Sequence, residues 1–369
     1  MNILFNMPSQ SPGQPAGVGR FGHELLRRLV ANGHAAYTLR SRFDRQQLPG
    51  SLGAIENLIR ISTPSFHAAD IVLSSLGAPV FFPRSRFDIV VNVDPLGLFL
   101  GGGNRVTIVH DLYFAGIPGL YSRPVAAKAW ALHWLVLSRS TAIVAISEST
   151  ADDICRFFPT LASRVQVILS DSTMTAGADD RWLARLKAKR FVLTVANAAP
   201  NKNLGTLAKA FCSIARTDPG LMLVHVGSDP HGLLSGVMAD EGMSARLIRH
   251  SGIADSALAA LYESALCLVV PSFYEGFCLP LVEAQRYGCP VLFADSPGTG
   301  ETGGMGGVSF RPDDLAGLAE CLGRIVASAS LRATMRTSGH RNALRFSWER
   351  AARQYEQVFD AIARLRSPG

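Results

Sequence analysis

The chain has 369 residues, 48% of them hydrophobic and 18% charged, which is too long for one ordinary core and apolar enough for two globular domains. No apolar run reaches the length of a membrane span, and the opening MNILFNM lacks the basic flank and cleavage site of a leader, so the expected location is the cytoplasm. The net charge is +7 without a dense Lys/Arg run or a basic strip interleaved with aromatics, so nucleic acid is not an expected partner, and an anionic membrane surface or a diphosphate-bearing substrate suits the charge better.

A short apolar strand is predicted over 2–7, followed by a loop over 8–16 rich in Pro, Ser, Gln and Gly. Gly17-Val18-Gly19-Arg20 then opens a helix through residue 32 with apolar positions 21, 25, 26, 29 and 30. A glycine-rich turn between a strand and a helix lets a phosphate or hydroxyl approach the backbone, which makes Gly17 a candidate binding position; a plain turn is the alternative. The spacing is not G-x-G-x-x-G, and no acidic residue ends the next strand AAYTLRS, so a dinucleotide fingerprint is not supported.

Further strands are predicted over 70–76, 88–93, 105–109, 141–146 and 164–169, alternating with helices as in a parallel, doubly wound sheet. Ligands of such sheets gather at the C-terminal ends of the strands. His110 and Asp111 follow VTIV at such an end and form a poised polar pair. The stretch 123–139 carries Trp130 and Trp134 between Lys128 and Arg139. Its apolar residues almost encircle it, which predicts a buried packing helix; an interfacial membrane helix is the alternative. The basic excess favours this half, with 15 Lys and Arg against 10 Asp and Glu in 1–170 and 21 against 19 in 171–369. Ser147 then caps the next helix.

Residues 171–189 are polar and aperiodic and are read as an interdomain linker. A strand over 191–195 leads into NAAPNKNL and a helix from 204, so the Lys202 ammonium can meet an anion already held by helix N–H groups. Another strand over 221–226 ends in the glycine turn at Gly227. A helix over 255–265 leads into the buried strand ALCLVV and then into PSFYEGFCLPLVEAQRYGCP. Here a short helix begins near Pro280 and stops at Gly288, leaving the N–H groups around Phe277, Cys278 and Leu279 as an anion site. Glu275 precedes that site and Glu283 lies in the first turn, one carboxylate for each end of a bound phosphate ester. Carboxylates accept hydrogen bonds from sugar hydroxyls, and a vicinal diol suits one of them. The six cysteines (155, 212, 267, 278, 289, 321) contain no C-x-x-C pair and read as reduced packing thiols. After a strand over 291–294, the glycine-rich segment 295–307 reads as a flexible loop, and a last helix with an apolar face runs to about 364.

The pattern PS-x-Y-EGF-x-LP-x-x-EA-x-x-x-G-x-PV resembles the E-x7-E region of retaining glycosyltransferases of family 4, which have the GT-B fold. HDL at 110–112, followed by an aromatic stretch, is similar to the mannosyltransferase-like branch; the turn over 146–150 and the text of 255–265 match the family as well. Two positions depart: Cys278 stands where the family usually has Gly, and Asn201 where it often has Arg.

The resemblance implies an α/β GT-B architecture of two doubly wound, Rossmann-like domains facing across a cleft. An acceptor domain would cover 1–170, a linker 171–189, and a nucleotide-sugar domain 190–345, with 346–369 a helix crossing back to the first domain. The implied reaction moves a hexose, first of all mannose from GDP-mannose, to a glycan or a polyprenyl-diphosphate-linked acceptor with retained anomeric configuration. Lys202 would clamp the diphosphate, Glu275 hold the transferred sugar, Glu283 the ribose diol and His110 the reacting face. Gly17, Asp111, Gly227, Gly276, Phe277, Cys278 and Leu279 would line the donor. No cofactor and no metal are expected, because no two aspartates form a D-x-D pair. A UDP-hexose donor, a nucleotide-sugar-binding subunit without turnover, and peripheral association with the inner face of an anionic membrane are the other readings carried forward.

Overall fold

The computed structural model describes residues 1–6, 17–41, 58–61, 87–95, 104–117, 119, 121–174, 177–186 and 189–364. The expected loop over 8–16 and strand over 70–76 lie outside them. The chain divides into two compact units, one of Met1–Thr173 with Ser347–Gly369 and one of Met174–Phe346.

In unit 1 the strands are β1 (Asn2–Asn6), β2 (Ala35–Ser41), β3 (Leu58–Ile61), β4 (Ile89–Asn92), β5 (Asn104–Val109), β6 (Ala142–Ala145) and β7 (Val165–Val167). Among the described residues they form a parallel sheet in the order β3-β2-β1-β4-β5-β6-β7. The order reverses between β1 and β4, the position where such sheets open a crevice at their carboxyl ends. Helix α1 (Gly17–Ala31) buries Phe21, Leu25, Leu26 and Leu29, an i, i+4, i+5, i+8 stripe. The single turn α2 (Tyr113–Gly116) precedes α3 (Arg123–Ser138) and α4 (Glu148–Phe157), whose N-cap Ser147 accepts the Thr150 N–H at 3.0 Å.

Unit 2 begins with α5 (Asp180–Leu186) inside the span read as linker; Leu186 is buried with Phe191 in one core. Its strands are β8 (Arg190–Val195), β9 (Leu221–Val226), β10 (Leu247–His250), β11 (Cys267–Val270), β12 (Val291–Ala294) and β13 (Val308–Phe310), parallel in the order β10-β9-β8-β11-β12-β13. Helices α6 (Leu204–Ala215), α7 (Ser235–Asp240), α8 (Asp255–Ser264), α9 (Leu279–Arg286), α10 (Thr299–Gly303), α11 (Leu315–Ala327) and α12 (Ala329–Ala343) complete it. The strands are apolar on both faces: Leu221 and Leu223 join one core while Val224 and Val226 join the other.

The last helix, α13 (Trp348–Arg364), is part of unit 1. It buries Trp348, Tyr355 and Phe359, sets Trp348 against Phe21 at 5.1 Å, and accepts bonds from Asn32 (2.9 Å) and His34 (3.0 Å) on Glu356.

Two sequence expectations are overturned. The segment 295–307 is a packed element: Thr299 and Thr302 are fully buried, and Gln285 and Asn342 bond the carbonyls of Gly303 and Thr302 at 2.9 Å each. Its glycines serve close packing, since a Cβ on Gly303 would lie 2.3 Å from the Phe293 ring. Helix α3 is not enclosed either. It buries only His133, Val136 and Leu137, while Trp130 and Trp134 remain 42% and 45% exposed.

Candidate active site

The sheet of unit 2 reverses order between β8 and β11, and the loops leaving those two strands carry Lys202 and Glu275. The Lys202 Nζ donates to Glu275 Oε2 at 2.6 Å, joining groups 73 residues apart in the chain. Both side chains are mostly buried, so their attraction is screened less than that of a surface pair. Ser272 donates its hydroxyl to the other carboxylate oxygen, Oε1, at 2.7 Å. Each oxygen of Glu275 thus has a fixed donor, and the carboxylate has one orientation.

The surrounding backbone holds this pair. The Phe273 N–H bonds the Asn201 carbonyl at 2.8 Å, and Asn201 Nδ2 donates to the Tyr274 carbonyl at 3.4 Å, so Asn201 ties the two loops together. From the third loop, after β12, Pro297 O accepts the Glu275 N–H at 3.0 Å and Ser296 Oγ donates to Ser272 O at 2.7 Å. Gly298 has φ +77°, and a Cβ there would lie 2.0 Å from the Glu275 carbonyl oxygen. That approach is open only to glycine.

At the start of α9, the Leu279 N–H is used within the chain, bonding Phe277 O at 3.0 Å, so it is not among the donors left for a ligand. The amides of Gly276, Phe277 and Cys278 have no hydrogen-bond partner among the described residues. Cys278 has φ −82°, a conformation any residue adopts, and its side chain is buried in the core. Burial pushes the thiol pKa well above the usual range, keeping it protonated. Glu283, one turn into α9, is 8% exposed and accepts the Tyr262 hydroxyl on Oε2 at 3.0 Å. Gly227 has φ +147°, and a Cβ on it would meet Ala196 O at 2.0 Å. The turn after β9 is thereby pressed onto the loop after β8, where Asn197 Oδ1 accepts from Ser228 N and Oγ, both at 3.0 Å.

Three expected site residues belong to unit 1. His110 follows β5, and its Nε2 bonds the Val93 carbonyl at 2.8 Å. A carbonyl only accepts, so Nε2 carries the hydrogen and Nδ1 keeps the lone pair. Burial lowers the imidazole pKa from 6.5 to about 4, and the ring is neutral near pH 7. Phe21 of α1 packs edge-on against it at 4.9 Å. Asp111 Oδ1 accepts the Tyr113 N–H at 3.5 Å, at the start of α2. Gly17 is the exposed first residue of α1, with open space where a Cβ would stand. Ser296, Gly298 and Tyr262 had no local signal as site residues, since each acts through a partner on another element; Ser272 acts through Glu275, three residues on in the same loop.

Two parallel, doubly wound units define the GT-B architecture. Sucrose-phosphate synthase from Thermosynechococcus elongatus is similar with a TM-score of 0.81 at 18% identity, covering 98% of each chain. Anabaena HepE, solved with UDP and glucose, is similar with a TM-score of 0.76 at 17% identity over 98% of this chain and 100% of that one. Residues 15–169 match the model of Glycosyltransferase Family 4, and residues 179–341 that of Glycosyl transferases group 1. The chain belongs to this family of glycosyltransferases. The MMP α-(1→4)-mannosyltransferase of Mycolicibacterium hassiacum is 30% identical over 232 residues, 60% of this chain. The match spans 55% of that relative's length.

Proposed function

We propose that the chain transfers a hexose from a nucleotide diphosphate sugar to a hydroxyl acceptor with retained anomeric configuration. The observation that carries this reading is the Lys202–Glu275 pair at the carboxyl ends of β8 and β11, 2.6 Å apart. Breaking the bond from the sugar to the diphosphate leaves negative charge on phosphate oxygens while the sugar gains cationic character. A cation and amides fixed at the leaving group stabilise that charge as it develops. Lys202 and the amides of Gly276, Phe277 and Cys278 are suited to this. Glu275, held by Ser272, is suited to the hydroxyls of the transferred sugar, and Glu283 to a ribose diol. The neutral His110 offers an acceptor nitrogen to a sugar hydroxyl.

The first donor proposed is GDP-mannose, supported by the mannosyltransferase relative; a UDP-hexose is the second, supported by the HepE complex with UDP and glucose. A glycan or a polyprenyl-diphosphate-linked glycan is the acceptor class. No divalent ion has a role in this reading, so transfer should persist in EDTA. We also propose that unit 1 associates reversibly with an anionic membrane through α3, which has no acidic residue, carries Arg123 and Lys128, and exposes Trp130 and Trp134. No helix among the described residues is long and apolar enough to cross a membrane.

Incubating purified protein with labelled GDP-mannose and UDP-hexoses tests the reaction. The expected result is release of the nucleotide diphosphate together with α-configured product or free sugar from one donor. Binding of a donor without any turnover would overturn the catalytic reading in favour of a nucleotide-sugar-binding subunit.

A further inference from the structure

The ion pair that carries the proposed function also works against it. An ammonium suited to a diphosphate is already matched, since Glu275 Oε2 stands 2.6 Å from Lys202 Nζ with both side chains mostly buried. The carboxylate is fixed. Ser272, itself 1% exposed, donates to Oε1 at 2.7 Å, and the Glu275 N–H is tied to Pro297 O at 3.0 Å. Glu275 also directly precedes the amides of Gly276, Phe277 and Cys278, so one negative charge borders every group proposed to hold the anion. A mostly buried charge is screened less than a surface one, and an anion placed on Lys202 meets it as repulsion.

We infer that Glu275 has a second role, as a fixed competitor for the charge of Lys202 that disfavours the product nucleotide diphosphate more than the donor. This rests on the nucleotide-sugar reading of the site. Transfer breaks the bond between the sugar and the terminal phosphate, and the bonding pair stays on that phosphate oxygen. The acceptor's proton ends in solvent, because a terminal phosphate is mostly ionised at pH 7, so the product carries about one more negative charge than the donor. In the donor complex the carboxylate accepts from sugar hydroxyls, and in the product complex it has none to accept from. Both differences act in the same direction. The ammonium has three hydrogens, so carboxylate and phosphate compete for its charge rather than for a single bond. The effect stems from the charge of Glu275 and does not depend on what else Lys202 touches. After transfer, Glu275 keeps the lysine and the diphosphate leaves.

The test titrates wild type, Glu275→Gln, Lys202→Ala and the double variant calorimetrically with UDP, GDP, UDP-glucose and GDP-mannose, without acceptor. Glutamine keeps the shape of the side chain and removes its charge, and Glu275→Ala is the second variant should Glu275→Gln not fold. Glu275→Gln should bind the cognate nucleotide diphosphate about 10-fold more tightly than wild type, the scale of one charge-assisted hydrogen bond, although its turnover falls. The gain should be smaller for the nucleotide sugar, so the ratio of product affinity to donor affinity, measured on one sample, rises. In the Lys202→Ala background the same substitution should give little gain. A purely structural role for Glu275 would weaken both ligands alike. Unchanged or weaker binding of UDP and GDP in Glu275→Gln, an equal gain for product and donor, or a gain that persists in full without Lys202 overturns this inference and leaves the nucleotide reading standing. If none of the four ligands binds wild type or Glu275→Gln, the nucleotide reading fails and the inference with it.

Discussion

Replacing Gly298 with alanine should damage the site from outside it. At φ +77°, an L side chain is strained whatever surrounds it, and the new Cβ would lie 2.0 Å from Glu275 O, 2.7 Å from Glu275 C and 3.1 Å from Gly276 O. These are backbone atoms, so no flexible side chain can yield. To restore an ordinary contact the Glu275–Gly276 peptide has to retreat by about 1.4 Å, which stretches the Glu275 N–H bond to Pro297 O. The conformational strain alone is on the order of 1–3 kcal/mol. Moving the carboxylate by about 1 Å can lower turnover by roughly 10^2-fold. The assay is donor turnover at saturation together with the unfolding midpoint, with Gly300→Ala as control. That position lies two residues away in α10, where a Cβ would come no closer than 3.4 Å to Asp295 Oδ1. The control should retain activity and stability. Wild-type turnover and melting in Gly298→Ala would refute the reasoning, because they would mean that the third loop does not set the position of Glu275.

Glu283→Gln should mainly raise the Michaelis constant for donor, since a ribose contact is nearly equal in ground and transition states. Glu275→Gln should instead lower turnover by about 10^2-fold, and donor titrations showing the reverse pattern would reverse the two roles. Burial lowers both His110 and His133 from 6.5 to about 4, so the unfolded chain binds their protons first as pH falls. Stability should therefore be complete above pH 6.5 and decline between 6.5 and 4, by roughly 3 kcal/mol per histidine at most. Urea midpoints at pH 7 and pH 5 measure this, and equal midpoints would contradict it. Flotation on vesicles containing anionic phospholipid should carry the protein upward at low salt, less at high salt, and less in Trp130→Ala/Trp134→Ala; protein that stays in solution at low salt would sink the α3 proposal.

The strands of unit 2 were legible because parallel strands covered on both faces are near-continuous apolar runs, such as FVLTV and ALCLVV. The short helix after Phe277 was legible from Pro280 and Gly288. The pairing of Lys202 with Glu275 was not, because nothing local connects residues 73 apart until the sheet order brings β8 beside β11. Composition misread 295–307, since glycine signals flexibility and close packing with the same letter. Only the neighbours Phe293, Gln285 and Asn342 decide between them. Helix α3 was misread for a related reason: apolar side chains show what gains from burial, not which element covers it.

The measurement that tests the account most directly is a thermal-shift series with nucleotide sugars on wild type and Lys202→Ala. A ligand at 100 times its dissociation constant adds about 2.7 kcal/mol of stability. The account predicts that GDP-mannose or a UDP-hexose raises the melting temperature of wild type and that the shift shrinks in Lys202→Ala. If no nucleotide sugar moves the wild-type melting temperature, or if Lys202→Ala responds in full, the site at the ends of β8 and β11 does not hold a nucleotide diphosphate.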